Sequence, residues 1–224
     1  MMRMPKSLEP RSLKSNSRRA EILRAATTLF LERGYSGTST DAIVERSGGS
    51  KETVYAHFGS KAGLFEAVVE QAASTTIAAL QNPSLDADEP QRELRRIGID
   101  FLTALADPDT IALMRLIVAE TERVPGIRMI FVRSGPMQAE AAIAAFLDRC
   151  RAARSLCIPD LNLYAAAFAA LVLAPVLGSL VTAEPLSERA IVDHIETVVP
   201  LFVKLCRTRE TVTETSASVL KSRR

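Results

Sequence analysis

Hydroxyl-bearing and charged residues between Thr38 and Lys61 have the types and spacing suited to binding a polyanion. Thr38 precedes a short apolar run and Asp41 follows three residues later, which predicts a capping box at the start of a helix. Ser50 can cap a second short helix in the same way. The turn between the two helices, Ser47-Gly48-Gly49, is typical of a helix-turn-helix. The segment is therefore predicted to place one helix in the major groove of DNA, which is about 12 Å wide.

The second helix of this element, from Lys51 to Phe58, divides into an apolar face and a polar face. Val54 and Phe58 are four residues apart, so they share one side of the helix and are predicted to point inward. The other side chains are small or able to form hydrogen bonds, as reading base edges requires. Those predicted to face outward or sideways are Lys51, Glu52, Thr53, Ala56 and His57.

The segment from Ile22 to Val69 also carries many residues in register with a known family. They are Ile22-Leu23, Ala25-Ala26, Leu29-Phe30, Gly34-Tyr35, Thr38-Ser39, Ile43, Ser50-Lys51-x-Thr53-Val54-Tyr55-x-His57-Phe58, Ser60-Lys61 and Leu64-Phe65. This pattern resembles the amino-terminal domain of the TetR family of transcriptional regulators. The resemblance implies a DNA-binding regulator with a helical fold.

The resemblance further implies roles for the matching side chains. Tyr55 and Lys61 would contact phosphates, together with the hydroxyl of Thr38 or Ser39. The alternative for Tyr55 is an aromatic ring that packs while its hydroxyl reaches water. Residues that would approach base edges are Lys51, Glu52, Thr53 and Ala56, while His57 could contact bases or phosphates and Ser50 belongs to the same motif. The carboxylate of Glu52 can accept a hydrogen bond from cytosine but repels phosphate, so it should be selective.

Three positions depart from the family pattern. Ser47 stands where the family usually has alanine, and Gly49 where it usually has a bulky aliphatic residue. Gly63 replaces an acidic residue that often completes the cap of the next helix. The missing side chain at Gly49 predicts a turn that is looser than the family's.

Positive charge is concentrated at the front of the chain. Residues 1–61 contain eleven Lys and Arg and six Asp and Glu, whereas the whole chain carries only +2. Residues 1–17 are predicted to form a disordered basic arm. Two of its basic residues, Arg11 and Lys14, and the two arginines that follow the arm, Arg18 and Arg19, could neutralise phosphates or enter the minor groove, or could simply be solvated.

Helical periodicity, punctuated by proline and glycine, continues along the chain, so the fold is predicted to be all-α. An amino-terminal three-helix helix-turn-helix domain would occupy residues 18–80 and a linker residues 81–90. A helical ligand-binding and dimerisation domain would follow at residues 91–207, and a flexible tail at residues 208–224. Helices in the carboxy-terminal domain are predicted at residues 94–106, 109–123, 127–134, 137–154, 161–181 and 187–206.

Two long helices near the carboxy terminus, at residues 161–181 and 187–206, are the predicted homodimer contacts. The first contains no charged residue and is rich in alanine, which permits close helix approach. The second carries one apolar stripe: Ile191, Ile195, Val198, Val199 and Phe202. With their symmetry mates they would form a four-helix interface. The alternatives are an ordinary core helix and, for residues 161–183, a membrane span. The acidic residues flanking that stretch, Asp160 and Glu184, favour a buried helix, so no membrane partner is expected.

The resemblance implies a small-molecule effector pocket in the carboxy-terminal domain, and Pro125, Phe131 and Gly135-Pro136 resemble the AefR-type branch of the family. Apolar helix faces with a few polar groups suit such a pocket. The predicted lining residues, which equally suit a plain core, are Phe101, Met114, Arg115, Phe131, Phe146, Tyr164 and Phe168.

Other functional classes find little support in these residues. The two histidines are far apart, so neither a metal nor a cofactor is expected, and no nucleophile–base pair or phosphate loop indicates an enzyme. The three cysteines fit a reducing cytoplasm, as inert buried thiols or, alternatively, as redox sensors. The predicted function is a cytoplasmic repressor released from a palindromic operator by a small apolar effector. The alternative is an effector-independent activator or nucleoid-type binder.

Overall fold

The computed structural model describes residues 9–78, 80–81, 85–122, 124, 126–182 and 184–207, with side chains from residue 15 onward. Every regular element in these ranges is a helix, which confirms the all-α prediction. In chain order the helices are α1 (Glu9–Gly37), α2 (Thr40–Ser47), α3 (Lys51–Phe58), α4 (Lys61–Ala78), α5 (Pro90–Leu105), α6 (Pro108–Glu120), α7 (Ile127–Ser134), α8 (Pro136–Ala152), α9 (Leu161–Thr182) and α10 (Glu188–Arg207).

The first helix is longer than predicted. It begins at Glu9, so the predicted disordered arm is wrong for residues 9–17. Pro10 lies in the first turn, where a missing N–H costs nothing, and no breaker follows it before Gly34. At Gly34 the backbone turns to φ +74°, and the regular helix ends there as predicted. Residues 1–8 and the predicted tail at 208–224 lie outside the described residues.

The first of two compact units comprises the described residues up to Thr76 together with those of Asp107–Met137. Its core joins apolar residues of α1–α4 with Leu113, Ile117 and Ile127, all buried. Helices α6 and α7 therefore pack with the helix-turn-helix, although the sequence predicted a division at the 81–90 linker. The cause is the apolar face of α6, which completes this core.

Three aromatic rings fix α1 against α4 within this core. Phe30 and Phe65 meet edge to face with centroids 5.1 Å apart, and Tyr35 stacks on Phe30 at 5.7 Å. Tyr35 also meets Phe65 edge-on at 5.2 Å. Such aromatic pairs stabilise a core beyond their area burial. They hold the beginning of α4 close to the end of α1.

The second unit comprises the described residues of Ile77–Ala106 and those from Gln138 to Arg207. Here the apolar stripe of α10 faces inward: Ile191, Ile195, Val198, Val199 and Phe202 are all buried. Phe202 packs on Phe168 of α9, with ring centroids 5.0 Å apart. The prediction that this stripe meets a symmetry mate is therefore wrong, because α5 and α9 of the same unit cover it.

A different apolar surface of α9 and α10 is exposed to solvent. We call it the outer α9/α10 face; it consists of Leu163, Leu171, Leu177 and Val181 on α9 and Leu201 and Leu205 on α10, between 41 % and 87 % exposed. In the described residues, α9 is the one helix long and apolar enough to cross a membrane by length and composition. One third of its most apolar window is buried within the protein, as expected of a helix with one side in a core.

Candidate nucleic-acid interface

Serine caps position the two helices of the helix-turn-helix. The Ser39 hydroxyl accepts a hydrogen bond from the Ala42 amide at 3.1 Å and caps the amino terminus of α2. The Ser50 hydroxyl accepts one from the Thr53 amide at 3.3 Å and begins α3, as predicted. Each cap satisfies an amide that would otherwise lack a partner. The caps fix the start of both helices on either side of the turn.

Thr38 has a different role from the one predicted. Ser39, not Thr38, caps α2, and the Thr38 side chain is buried. Its hydroxyl oxygen lies 2.8 Å from the Gly34 carbonyl oxygen and 3.0 Å from that of Leu29, and its one proton is shared between these two acceptors. This hydroxyl closes the end of α1, where carbonyl groups lack helical partners. Thr38 is therefore not a phosphate contact, and Ser39 is the exposed hydroxyl at this position.

Helix α3 has the two faces that the spacing predicts. Val54 is buried and Phe58 is half-buried. The outward residues Lys51, Glu52 and Ala56 are exposed, and so is Tyr55, at 46 %. Thr53 and His57 are half-buried at the edges of that face. The exposed face is thus polar, charged and free of large aliphatic side chains.

The charges on this face are well defined. The Lys51 ammonium lies 2.7 Å from a carboxylate oxygen of Asp41 on α2, and the hydrogen bond and charge of Asp41 raise the pKa of Lys51. A hydrogen bond from Ser50 lowers the pKa of Glu52. Both side chains are therefore ionised at neutral pH. The contact between Lys51 and Asp41 is exposed, so it can exchange for another anion at little cost.

Lys61 opens α4, where the Ser60 hydroxyl accepts a hydrogen bond from the Gly63 amide at 3.0 Å. The Lys61 ammonium lies 4.3 Å from the centre of the Tyr35 ring. Burial lowers the pKa of Lys61, and the charge of Glu120 opposes that shift. Glu120, at the end of α6, is itself buried and accepts a hydrogen bond from Ser36 at 3.2 Å. Lys61 is thus held by the core while lying at a helix amino terminus, a position that favours anions.

Gly63 is required by space rather than by conformation. A Cβ atom at this position would lie 2.1 Å from the Phe58 carbonyl oxygen. No side chain fits there, because α4 begins directly against the end of α3. The sequence pattern alone indicates the loss of a capping residue at Gly63. A glycine inside the first turn of a helix was the signal of this close approach.

The predicted effector-pocket residues fall into both units. In the first unit Met114, Arg115 and Phe131 are half-buried. In the second, Phe101, Phe146 and Phe168 are buried, and Tyr164 packs edge-on against Phe202. One cavity of about 360 Å³ lies in the second unit, between Leu80-Gln81 and α8. Its lining residues are Leu80, Gln81, Gln138, Ala141, Ala142, Ala145, Phe146 and Arg149, so Phe146 alone matches the prediction.

The cysteines lie in the second unit. Cys150 and Cys206 are buried, and burial raises the pKa of both thiols, that of Cys206 to about 12. Cys157 is exposed, and its amide donates to the Cys206 carbonyl at 2.9 Å. Among the residues described, no group of three His, Cys, Asp or Glu side chains is arranged to hold a metal ion.

Both the amino-terminal and the carboxy-terminal parts of the chain are similar to known protein families. Residues 22–68 match the family model for bacterial regulatory proteins of the TetR family, and residues 92–206 match the model for the carboxy-terminal domain of AefR-like transcriptional repressors. The HTH-type transcriptional repressor Rv3405c of Mycobacterium tuberculosis is 40 % identical over 88 residues, covering 39 % of this chain and 46 % of that protein. The chain matches less than half the length of the curated relatives.

Two solved structures are matched over nearly their whole length. The flavonoid-responsive regulator FrrA is 34 % identical with a TM-score of 0.74, covering 87 % of this chain and 99 % of that one. A TetR-family transcriptional regulator from Mesorhizobium loti is 28 % identical with a TM-score of 0.75, covering 86 % of this chain and 98 % of that one. With a helix-turn-helix in front and an AefR-like domain behind it, this chain belongs to the TetR family of DNA-binding transcriptional regulators.

Proposed function

We propose that this protein is a repressor that binds a palindromic operator as a homodimer and leaves it when a small apolar molecule binds. The observation that carries the proposal is the polar, exposed face of α3 on a capped helix-turn-helix. The carboxy-terminal match to AefR-like repressors supports repression rather than activation. A face of this kind provides hydrogen-bonding groups for base edges and leaves the apolar side of α3 in the core.

In this proposal Lys51, Glu52, Thr53 and Ala56 read bases, and His57 assists from the edge of α3. Ser39, Tyr55 and Lys61 contact phosphates. Ser50 caps α3 and fixes the direction of its first turn. Base contacts set sequence preference, whereas phosphate contacts set general affinity and its dependence on salt.

The DNA contacts are tested with two variants of the full-length protein. Lys61→Ala should weaken binding to operator and unrelated DNA alike, and should reduce the slope of log affinity against log salt by about 0.9, as loss of one phosphate contact requires. Glu52→Gln should instead change which bases are selected from random DNA, with the salt slope nearly unchanged. If both variants altered base preference and left the slope alone, the division into phosphate and base contacts would be wrong.

The outer α9/α10 face supports a homodimer through these two helices. Six large apolar side chains on these two helices are exposed in the single chain, and exposed apolar surface of this kind marks interaction sites. The matching surface on a second copy would cover them around a two-fold axis. A two-fold dimer would also present two α3 helices to the two halves of a palindromic site.

Charge reversal on this face tests the dimer. Leu177→Glu, at a position 66 % exposed, should yield monomers in sedimentation equilibrium. Val118→Glu is the control, since Val118 is equally exposed, at 70 %, but lies on α6. A Leu177→Glu protein that remained as dimeric as the control would refute an interface on α9 and α10.

Effector release is proposed from the cavity beside α8 and from the flavonoid response in the name of FrrA. Ala145 lines the cavity, so Ala145→Phe should fill it and abolish release by a panel of planar phenolic compounds while operator affinity stays unchanged. Ala152→Phe, on the same helix outside the cavity, is the control. If the compounds released both variants from the operator equally well, the effector would bind elsewhere.

A reporter gene placed behind the operator decides between repression and activation. If the protein is a repressor, its loss should raise transcription of the reporter.

A further inference from the structure

Arg18 of α1 reaches across to the turn of the helix-turn-helix. Its Nη1 atom donates to the main-chain carbonyl of Ser47 at 2.9 Å and lies 2.9 Å from a carboxylate oxygen of Glu21. The Arg18 side chain is only 26 % exposed. Ser47 is the last residue of α2, where carbonyl groups have no helical partner. Arg18 therefore satisfies a carbonyl group at the point where α2 passes into the turn.

The guanidinium also occupies the space beside Gly49. A Cβ atom on Gly49 would lie 2.0 Å from Nη2 and 3.0 Å from Cζ of Arg18. Gly49 has φ +122°, a conformation that side chains rarely adopt. The family usually has a bulky aliphatic residue at this position, and Arg18 fills the place beside the turn that such a residue would otherwise occupy.

The next residue of α1 reaches the opposite end of α3. The guanidinium carbon of Arg19 lies 5.2 Å from the centre of the Phe58 ring, the distance of a cation–π contact. Phe58 is the last residue of α3. Two consecutive arginines thus contact the turn before α3 and the end of α3.

We propose that Arg18, assisted by Arg19, is a positioning residue for DNA recognition: it holds the turn and α3 in place of the aliphatic side chain missing at Gly49. The proposal rests on the proposed function of α3 as the base-reading helix. Arg18 acts through the pose of α3 rather than by neutralising a phosphate. Its guanidinium already contacts the Ser47 carbonyl and the Glu21 carboxylate, so a phosphate would have to displace these contacts.

The salt dependence of DNA binding separates these two roles. Arg18→Ala should lower operator affinity about tenfold, the factor expected when a charged hydrogen bond is lost. Affinity for unrelated DNA and the slope of log affinity against log salt should stay near the wild-type values, because no phosphate contact is lost. A slope reduced by about 0.9, with equal losses on both DNAs, would make Arg18 a phosphate contact and overturn the proposal.

Arg18→Lys tests whether shape or charge matters, because lysine keeps the charge but lacks the planar fork that borders Gly49 and binds the carbonyl. The operator affinity of Arg18→Lys should fall almost as far as that of Arg18→Ala. The amide hydrogens of α3 should also exchange faster than in the wild type. Full recovery of affinity by lysine would refute the positional role. Arg18→Lys keeps the long side chain and the charge, so it provides a well-folded variant for this measurement.

Gly49→Ala completes the test. In the wild-type background the added methyl group meets the guanidinium, whereas in Arg18→Ala it meets only the strained backbone. The two changes should therefore be strongly non-additive, with a smaller further loss of operator affinity in the double variant. Additive losses of operator affinity would overturn the proposal.

Lys61→Ala, measured in parallel, identifies failure of the proposed function itself. If neither Lys61→Ala nor Arg18→Ala changes operator binding, α3 is not the helix that reads the bases.

Discussion

Two serines three residues apart should respond in opposite directions to the same substitution. The Ser47 hydroxyl is buried at the end of α2 and has no hydrogen-bond partner among the described residues. The Ser50 hydroxyl accepts the Thr53 amide and caps α3. We expect Ser47→Ala to stabilise the protein and Ser50→Ala to destabilise it.

The magnitude follows from what each hydroxyl does. Leaving a polar group buried without a partner costs about 1–3 kcal/mol, and alanine is a slightly better helix former than serine. Ser47 is half-buried, so the lower end applies, about 1 kcal/mol of stabilisation. Loss of a serine cap costs about 1 kcal/mol. The two variants should therefore differ by about 2 kcal/mol in the free energy of unfolding.

Urea unfolding followed by far-ultraviolet circular dichroism measures this difference, since the chain contains no tryptophan. The protein concentration must be the same in every experiment, because association changes apparent stability. The midpoint should rise for Ser47→Ala and fall for Ser50→Ala, with unchanged dependence on denaturant. In thermal unfolding the two Tm values should lie about 4–8 °C apart for a chain of this size.

A lower midpoint for Ser47→Ala than for the wild type would refute the reasoning. It would mean that the hydroxyl has a partner, such as a bound water, that stabilises the turn. Equal losses in both variants would lead to the same conclusion. Arg18 contacts the main chain of Ser47, so this substitution leaves that contact in place.

Three further expectations follow from buried groups. At pH 8 one thiol of the folded protein, Cys157, should react quickly with a disulfide reagent, and the other two only after unfolding, because burial raises the pKa of both. Gly63→Ala should destabilise the protein by about 1–3 kcal/mol in urea unfolding, as its methyl group would overlap the Phe58 carbonyl. Thr38→Val should cost about 1–2 kcal/mol by the same measurement. The salt slope of its DNA binding should stay unchanged, whereas a reduced slope would restore a phosphate contact at this position.

Much of the fold could be predicted from local patterns. Helix α3 has the predicted bounds, and α7 and α9 match within one residue, because serine, glycine and proline mark their ends. The inward position of Val54 and the exposure of Tyr55 follow from a helical period alone. These features depend on residues close together in the chain, which is the range over which sequence patterns are informative.

Features that depend on distant residues could not be predicted in the same way. The sequence shows a threonine before α2, but its partners are the carbonyls of Leu29 and Gly34 on another helix. Likewise, α10 has one marked apolar stripe, and nothing in the pattern says whether α5 and α9 or a second molecule covers it. The position of α6 in the first unit has the same origin, since apolar periodicity predicts a buried face but not its partner.

Arg18 and Gly49 show why single positions mislead. Considered alone, Gly49 predicts a loose turn, because a core side chain is missing. Considered alone, Arg18 predicts either a DNA contact or a solvated side chain, because it lies in a basic segment. The guanidinium lies against the glycine, so each residue explains the other: the arginine needs the space that the glycine leaves, and the turn needs a group to replace the missing side chain. An aliphatic side chain at this position would overlap the guanidinium where it lies here, so the two positions have to be interpreted as one structural unit.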